Sequence, residues 1–391
     1  MTRHKKRKIL SIIKCCTLLT LPLAAAALMS SASDIGAFFK RAGSVNLGKT
    51  NQLEGNLNVQ DSQFCYSMEI PEDAEDVINE EYILSEGYGY AEEEYDEAVI
   101  SGSENPLDAV SDDPGPKPYP TEDEWTQGGS IIRTTYGKFS GTTYFDLEGC
   151  GQVNNKTSVS NETLLAESKY LPDFTITDTD EPQVLIYHTH TTESFEPYVR
   201  DFFDANFNYR TTDETKNMVM VGNAICEQLE AEGIGVIHAT DIHDYPSYNG
   251  SYARSRETVT EILEQYPTIK VVLDIHRDAI QNDSGAYQPV VEINGREAAQ
   301  VMIISGCDDG TLDMPNYMKN FRFASSLQQQ LEGDYPGFTR PILFDYRKYN
   351  QDLTTGSLLI EVGSHGNTLE QVQYSGELIG ASLARLLKSL M

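Results

Sequence analysis

From residue 181 to the C-terminus, short apolar runs of strand length alternate with longer stripes at helical spacing, and few folds accommodate that order. Val184-Leu185-Ile186-Tyr187 opens the series as a run of buried-strand type. Met218, Val221, Ile225 and Leu229 then recur at helical spacing, with Asp213 available as a cap and Gly233 as the stop. Residues 234–237 read as a strand, and Val259, Ile262, Leu263 and Tyr266 as a second helical stripe. Residues 269–275 give the strongest strand signal, and further strands fit 290–293, 301–304, 341–344 and 358–362, with helices near 316–332 and 367–389. The pattern predicts an α/β domain, a mostly parallel sheet flanked by helices. In such sheets chemistry gathers at the carboxyl ends of the strands.

Three of those ends carry unusual residues. The first strand runs into His188-Thr189-His190-Thr191-Thr192-Glu193, and the 269–275 strand into His276-Arg277-Asp278. The 358–362 strand contains Glu361 and is followed by Gly363 and His365. Two histidines and a glutamate, with a second glutamate to handle protons, are the side chains a catalytic zinc hydrolase requires. Zinc takes three N/O ligands and keeps a fourth position for water, whose proton a further carboxylate accepts. His190 and Glu193 stand at H-x-x-E, close enough to reach one ion from a turn. Asp274, two residues before His276, shares its strand face and is placed to orient the imidazole. His188 is expected on the same face as His190. His238 and His243 fall at a strand end and in a loop without evident partners and read as structural.

The N-terminal part has a different character. Arg3, Lys5, Lys6, Arg7 and Lys8 precede an apolar run over residues 9–29, long enough for the ~20 residues that a bilayer span needs. A cleaved signal peptide is the alternative, since Ser30-Ser31-Ala32 offers small residues at its exit. Either reading exports the remainder, and no second run of this kind follows. Residues 69–124 carry 20 Asp and Glu against Lys117 alone, −19 of the formal charge of −31, leaving −12 for the rest. That acidity excludes nucleic acid as a partner. With Pro114, Pro116, Pro118 and Pro120 at its end, the segment reads as a solvated spacer. The expected order is therefore 1–33 basic flank and membrane anchor or signal, 34–124 acidic disordered linker, 125–180 small β-containing lead-in, and 181–391 catalytic domain. Cys15 and Cys16 lie in the apolar run, while Cys65, Cys150, Cys226 and Cys307 are scattered without metal-ligand spacing. A Cys65–Cys150 bridge is conceivable outside the cell, but buried or idle thiols are the simpler reading.

The ordered motifs His188-Thr189-His190-Thr191-Thr192-Glu193-Ser194-Phe195, Asp274-Ile275-His276-Arg277-Asp278, and Tyr349-Asn350-Gln351-Asp352-Leu353 with Glu361 resemble the stage II sporulation protein P family over about residues 181–391. The resemblance implies a fold similar to zinc amidases and carboxypeptidases. It also implies a membrane-tethered cell-wall hydrolase of endospore formers, an N-acetylmuramoyl-L-alanine amidase with endopeptidase activity on cross-links. Its substrate would be peptidoglycan, its partners the stage II sporulation proteins D and M during engulfment, and its location the sporulation membrane with the catalytic domain outside the cytoplasm. Carried over by position, Zn2+ is held by His190, Glu193 and His276. Glu214 is the alternative carboxylate, because muramoyl amidases often place that ligand at the start of the next helix, and His188 is at the site in an unsettled role. Glu361 is the general base. Arg277 assists the oxyanion or binds a peptide carboxylate, or forms an exposed salt bridge. Asn350, Gln351 and Asp352 grip glycan or peptide, or cap their loop, and His365 rims the cleft. The competing readings are a zinc carboxypeptidase acting on stem peptides and a non-enzymatic wall-binding scaffold.

Overall fold

The computed structural model describes Tyr119 and residues 125–391 apart from Asp283. The apolar run at 9–29, Cys65 and nearly all of the acidic segment lie outside the described residues. Among those described, no helix is long and apolar enough to cross a membrane.

Numbered in chain order, the main sheet has eight strands. Their spatial order is β2 (Tyr144–Asp146), β3 (Gln152–Asn155), β12 (Ile342–Asp345), β11 (Val301–Gly306), β13 (Gly356–Ser364), β7 (Val271–Asp278), β4 (Val184–Tyr187) and β6 (Val236–His238). Neighbours run parallel except β2 with β3 and β11 with β13. A second sheet orders β10 (Arg296–Ala299), β9 (Gly285–Ile293), β1 (Gln127–Thr134) and β5 (Phe202–Asp204), with β8 (Gln281–Asn282) against β9. The helices are α1 (Asn161–Glu167), α2 (Met218–Ala231), α3 (Ser251–Gln265), α4 (Tyr317–Asp334) and α5 (Leu369–Ser389). The fold is mixed α/β. Residues 125–180 are built into it, since β3 joins the main sheet and β1 the second.

Strand alternation divides the main sheet into two faces. Val271, Leu273 and Ile275 point to the larger core, where Val221 and Ile225 of α2, Phe321 and Leu327 of α4, and Ile379 and Leu383 of α5 also lie. Val272 points the other way, with Leu185, Tyr187 and Val259 of α3. Asp274 and His276 follow Val272 on the α3 face. Glu361 of β13 is the register partner of His276 and faces the same side.

Two helix termini show what the chain uses as punctuation. Asn217, not Asp213, caps α2: its side chain accepts from Val219 N at 3.0 Å, whereas Asp213 accepts from Thr215 in the turn before the helix. Asp213 lies too far upstream to reach the first free amides of α2. Gly233 ends the helix at φ +78°. On α5, Thr368 and Gln371 form a capping box. Helices α2 and α5 pack at backbone distance, because a Cβ on Gly380 would stand 2.6 Å from Ile225 O and one on Gly376 2.8 Å from Val221 O. The 269–275 strand starts later than its apolar pattern and continues to Asp278, so His276 lies within β7.

Candidate active site

The loop leaving β4 is pinned residue by residue. Backbone N of Thr189 donates to Asp274 Oδ1 at 2.8 Å and its hydroxyl to Asp274 Oδ2 at 2.6 Å. Thr191 Oγ1 donates to the carbonyls of His188 and Asp241, and Thr192 Oγ1 to buried Asp244. Ser194 Oγ donates to Lys216 O. The threonine-rich sequence thus supplies a hydroxyl wherever the turn needs a donor, and the turn delivers His190 and Glu193 towards β7.

Three side chains converge there, all buried. His276 Nδ1 lies 3.9 Å from Glu193 Oε2, and His276 Nε2 2.8 Å from Asp274 Oδ1. The His190 and His276 rings are 5.1 Å apart and nearly perpendicular. Burial pulls the His276 pKa down, but Asp274 outweighs it and, with Glu193 and Glu361, raises it to about 9. Burial pushes the Glu193 carboxyl up, against the charges of Arg277 and His276. Burial likewise raises Glu361, and Asp278 adds to this, bringing it to about 8. Glu361 Oε2 is buried and has no hydrogen-bond partner among the described residues. His190 is held well below the usual imidazole range by burial and by the neighbouring His276 charge.

Two imidazoles and a carboxylate on one wall are a donor set that suits zinc. The 3.9 Å between His276 Nδ1 and Glu193 Oε2 is a gap that an ion with bonds of ~2.0–2.2 Å can bridge. His190 instead stacks on Tyr248 at 4.6 Å, with its Nε2 3.1 Å from the Tyr248 hydroxyl. Among the described residues no three His, Cys, Asp or Glu side chains form a ready-made metal-binding group. The residue types suit the ion by chemistry, and His190 faces Tyr248 beside the other two.

Other residues expected at the site belong to the fold. His188 does not share a face with His190, because the strand ends at Tyr187 and the turn inverts the chain. It lies under α2, with Nδ1 2.9 Å from Ile275 O and Nε2 2.8 Å from His238 Nε2. Gly222 admits this pair, since a Cβ there would stand 2.3 Å from His238 Nε2. Burial, reinforced by His238, lowers His188 to about 3 and burial alone lowers His238 to about 4, so both are neutral. His243 also has partners, His188 O and Thr258 Oγ1. Arg277 Nε donates to Ser194 O, Nη2 to Tyr209 O and Nη1 to Asp278 O, clamping the Glu193 loop. Its backbone N donates to Glu193 Oε2 at 3.0 Å. Asn350 bonds Tyr252 O and Ser255 Oγ, Gln351 bonds Ile304 O and Gly306 N, and Asp352 pairs with Arg256. All three tie their loop to α3 or β11. Glu214 is exposed and lies before Asn217, outside the cluster. His365 is buried with Nε2 3.1 Å from Gln281 Oε1.

The site also contains groups that spacing does not reveal. Tyr252 stacks on Tyr349 at 5.1 Å and lies parallel to His276 at 6.3 Å, forming an aromatic wall with Tyr248. Asp278, at the end of β7, receives Arg340 at 2.8 Å. Apart from Tyr349 within its motif, no local sequence pattern marks these residues.

The model of the stage II sporulation protein P family matches residues 139–384. Stage II sporulation protein P of Bacillus subtilis (strain 168) is 31% identical over 205 residues, which cover 50% of this chain and 48% of that one. The chain thus spans about half the length of this curated relative. Among solved structures, the CwlD amidase of Clostridioides difficile, in complex with the GerS lipoprotein, is 13% identical with a TM-score of 0.33, covering 53% of this chain and 99% of that one. N-acetylmuramoyl-L-alanine amidase AmiC2 of Nostoc punctiforme is 12% identical with a TM-score of 0.32, covering 53% and 96%. At these scores the likeness carries no activity over to this chain. The family match, in contrast, runs through all three strand ends that build the cluster, and the chain belongs to the stage II sporulation protein P family.

Proposed function

We infer that this chain is a zinc-dependent peptidoglycan hydrolase that cleaves the amide between N-acetylmuramic acid and L-alanine during sporulation. The observation that carries this reading is the burial of His276, Glu193 and Glu361 on one face at the carboxyl edge of β7 and β13. His190, Glu193 and His276 would hold the ion, which when bound supplies Lewis acidity at the scissile carbonyl. Asp274 keeps the His276 ring oriented. Glu361 takes the proton of the attacking water and hands it to the departing amine of alanine. Burial and Asp278 raise its proton affinity in the metal-free protein, which favours a group that must both accept and return a proton. Tyr252 and Tyr349 offer flat surfaces against which sugar or peptide packs. Family membership supports a role in engulfment with stage II sporulation proteins D and M, and the apolar run at 9–29 supports membrane attachment with the hydrolase domain outside. Cleavage of cross-links by the same site is part of the proposal.

Digestion of purified cell wall by the full chain, read by mass spectrometry of the products, tests this. Glycan strands freed of peptide, with new alanine amino termini and intact sugar–sugar bonds, are expected. Release of single terminal amino acids would point instead to a carboxypeptidase, and an unchanged wall to a scaffold.

A further inference from the structure

Arg340 precedes β12, its backbone N donating to Val301 O at 2.8 Å and its carbonyl accepting from Gln328 Nε2 at 3.0 Å. The side chain is 9% exposed. Its Nη1 donates to Asp278 Oδ2 at 2.8 Å, and the guanidinium carbon lies 5.9 Å from the Tyr136 ring centroid. Asp278 stands two residues beyond His276 on β7 and shares its strand face, so the guanidinium that Asp278 holds lies at the edge of the catalytic cluster. Two of its nitrogens, Nε and Nη2, are buried and reach no acceptor among the described residues. Those two share one edge of the guanidinium plane, and their parallel N–H groups form the fork that takes a carboxylate through two hydrogen bonds. A buried guanidinium with a single carboxylate partner and an idle fork is costly unless a second anion arrives. Backbone bonds on both sides, Asp278 and the Tyr136 face hold the fork in place beforehand, which favours recognition over mere charge.

We propose that Arg340 is a specificity-determining residue whose Nε/Nη2 fork binds a substrate carboxylate beside the scissile amide. This rests on the amidase reading, and the source it commits to is the free carboxylate on the second residue of the stem peptide. Adjacent residues lie ~3.8 Å apart along the chain, so that group falls next to the bond on which Glu361 works. The hydrolase is then selective for acidic over amidated stems.

The test uses muramoyl tripeptides with either a carboxylate or a carboxamide on the second residue, and either a free or an amidated C-terminus. Calorimetric binding to the full-length Glu361→Gln protein is measured beside hydrolysis by the wild type. The acidic second residue should improve affinity and kcat/KM by about tenfold or more, the usual value of hydrogen bonds to a charged group. Arg340→Lys, which keeps the charge and loses the fork, should erase most of that preference. Equal affinities for acid and amide, or an Arg340→Lys protein that slows both alike, overturns the proposal even when wall hydrolysis is intact. A preference that follows the C-terminal carboxylate overturns the stem assignment and favours the carboxypeptidase reading. Preferential binding of the acidic tripeptide without any hydrolysis keeps the carboxylate site and rejects the amidase. The comparison within proteins that retain Arg340 stands even if Arg340→Lys fails to fold.

Discussion

Asp274 Oδ1 lies 2.8 Å from Nε2 of His276, and this leaves the other ring nitrogen, Nδ1, directed to Glu193 Oε2 at 3.9 Å. One carboxylate therefore decides which face of the imidazole is available. The same carboxylate accepts from the backbone and hydroxyl of Thr189, so it also positions the turn that brings in His190 and Glu193. Burial pushes Asp274 up, but His276 and the Thr189 donors hold it below the usual carboxylate range, so it stays charged at any physiological pH.

Asp274→Asn should therefore weaken zinc binding without removing a ligand. The usual loss for a residue that orients a metal-bound histidine is about 10–100-fold in metal affinity. Competition with a chelator of known affinity measures it. Unchanged affinity in the folded variant would show that Asp274 acts only on the turn.

Metal content gives a separate check. The full chain should carry about one zinc, by elemental mass spectrometry, with His190→Ala, Glu193→Ala and His276→Ala each lowering occupancy. Glu214→Ala should leave it intact, because Glu214 is exposed and outside the cluster. Loss of zinc in the Glu214 variant alone would move the carboxylate ligand to the helix entrance.

The metal-free protein should lose stability as pH rises above 6.5. His188 and His365, each lowered to about 3, and His238, lowered to about 4, favour the neutral form in the fold, so stability gained from them rises as pH climbs towards 6.5. His276 is raised to about 9, so its contribution is complete below the unfolded value of 6.5 and is lost as pH rises through 9. Glu361 is raised to about 8, so the fold favours its protonated form and stability falls from pH 4.5 to 8. Above pH 6.5 both act in the same direction, for a loss of a few kcal/mol. Urea melts with a chelator present should show it, and Glu361→Gln should flatten the part below pH 8.

Gly380→Ala separates helix propensity from packing. Alanine in an exposed helix interior is favoured over glycine by about 1 kcal/mol. Here its Cβ would stand 2.6 Å from Ile225 O, a backbone atom that cannot swing aside. The substitution should destabilise by ~1–3 kcal/mol, read as a lower Tm. A higher Tm would mean that α2 and α5 have room to separate.

What was legible in the sequence followed from short-range regularity. The alternation of 3.6-residue stripes and apolar runs located the strands and helices from Val184 onward, and polar residues interrupting apolar runs marked His190, Glu193, His276 and Glu361 as neighbours at one sheet edge. His188 was misplaced because extending a two-residue period beyond Tyr187 assumes that the strand continues, and it turns there. Arg277, Asn350 and Gln351 look functional in sequence because they are polar beside motifs, yet buried carbonyls and amides claim their hydrogen bonds first. Arg340 depends on strand neighbours far apart in the chain, and the tyrosine wall on α3 meeting the loop before β13, an order no local pattern encodes.

The base is tested by Glu361→Gln. The amide keeps the size of the side chain and leaves His190, Glu193 and His276 unaltered, but it cannot accept a proton. Zinc content and affinity for the wall should survive, and the hydrolysis rate should fall by ~10²–10⁴, the usual contribution of a positioned acid–base group. The pH profile adds a second criterion. In the wild type the rate should rise with pH as Glu361 loses its proton, and Glu361→Gln should retain a low rate without that limb. A scaffold would be indifferent to the change, since it hydrolyses nothing. A variant with full activity and full zinc would assign the proton transfer to another group on the α3 face, and Asp278, the acid whose charge most raises Glu361, would be the next to replace.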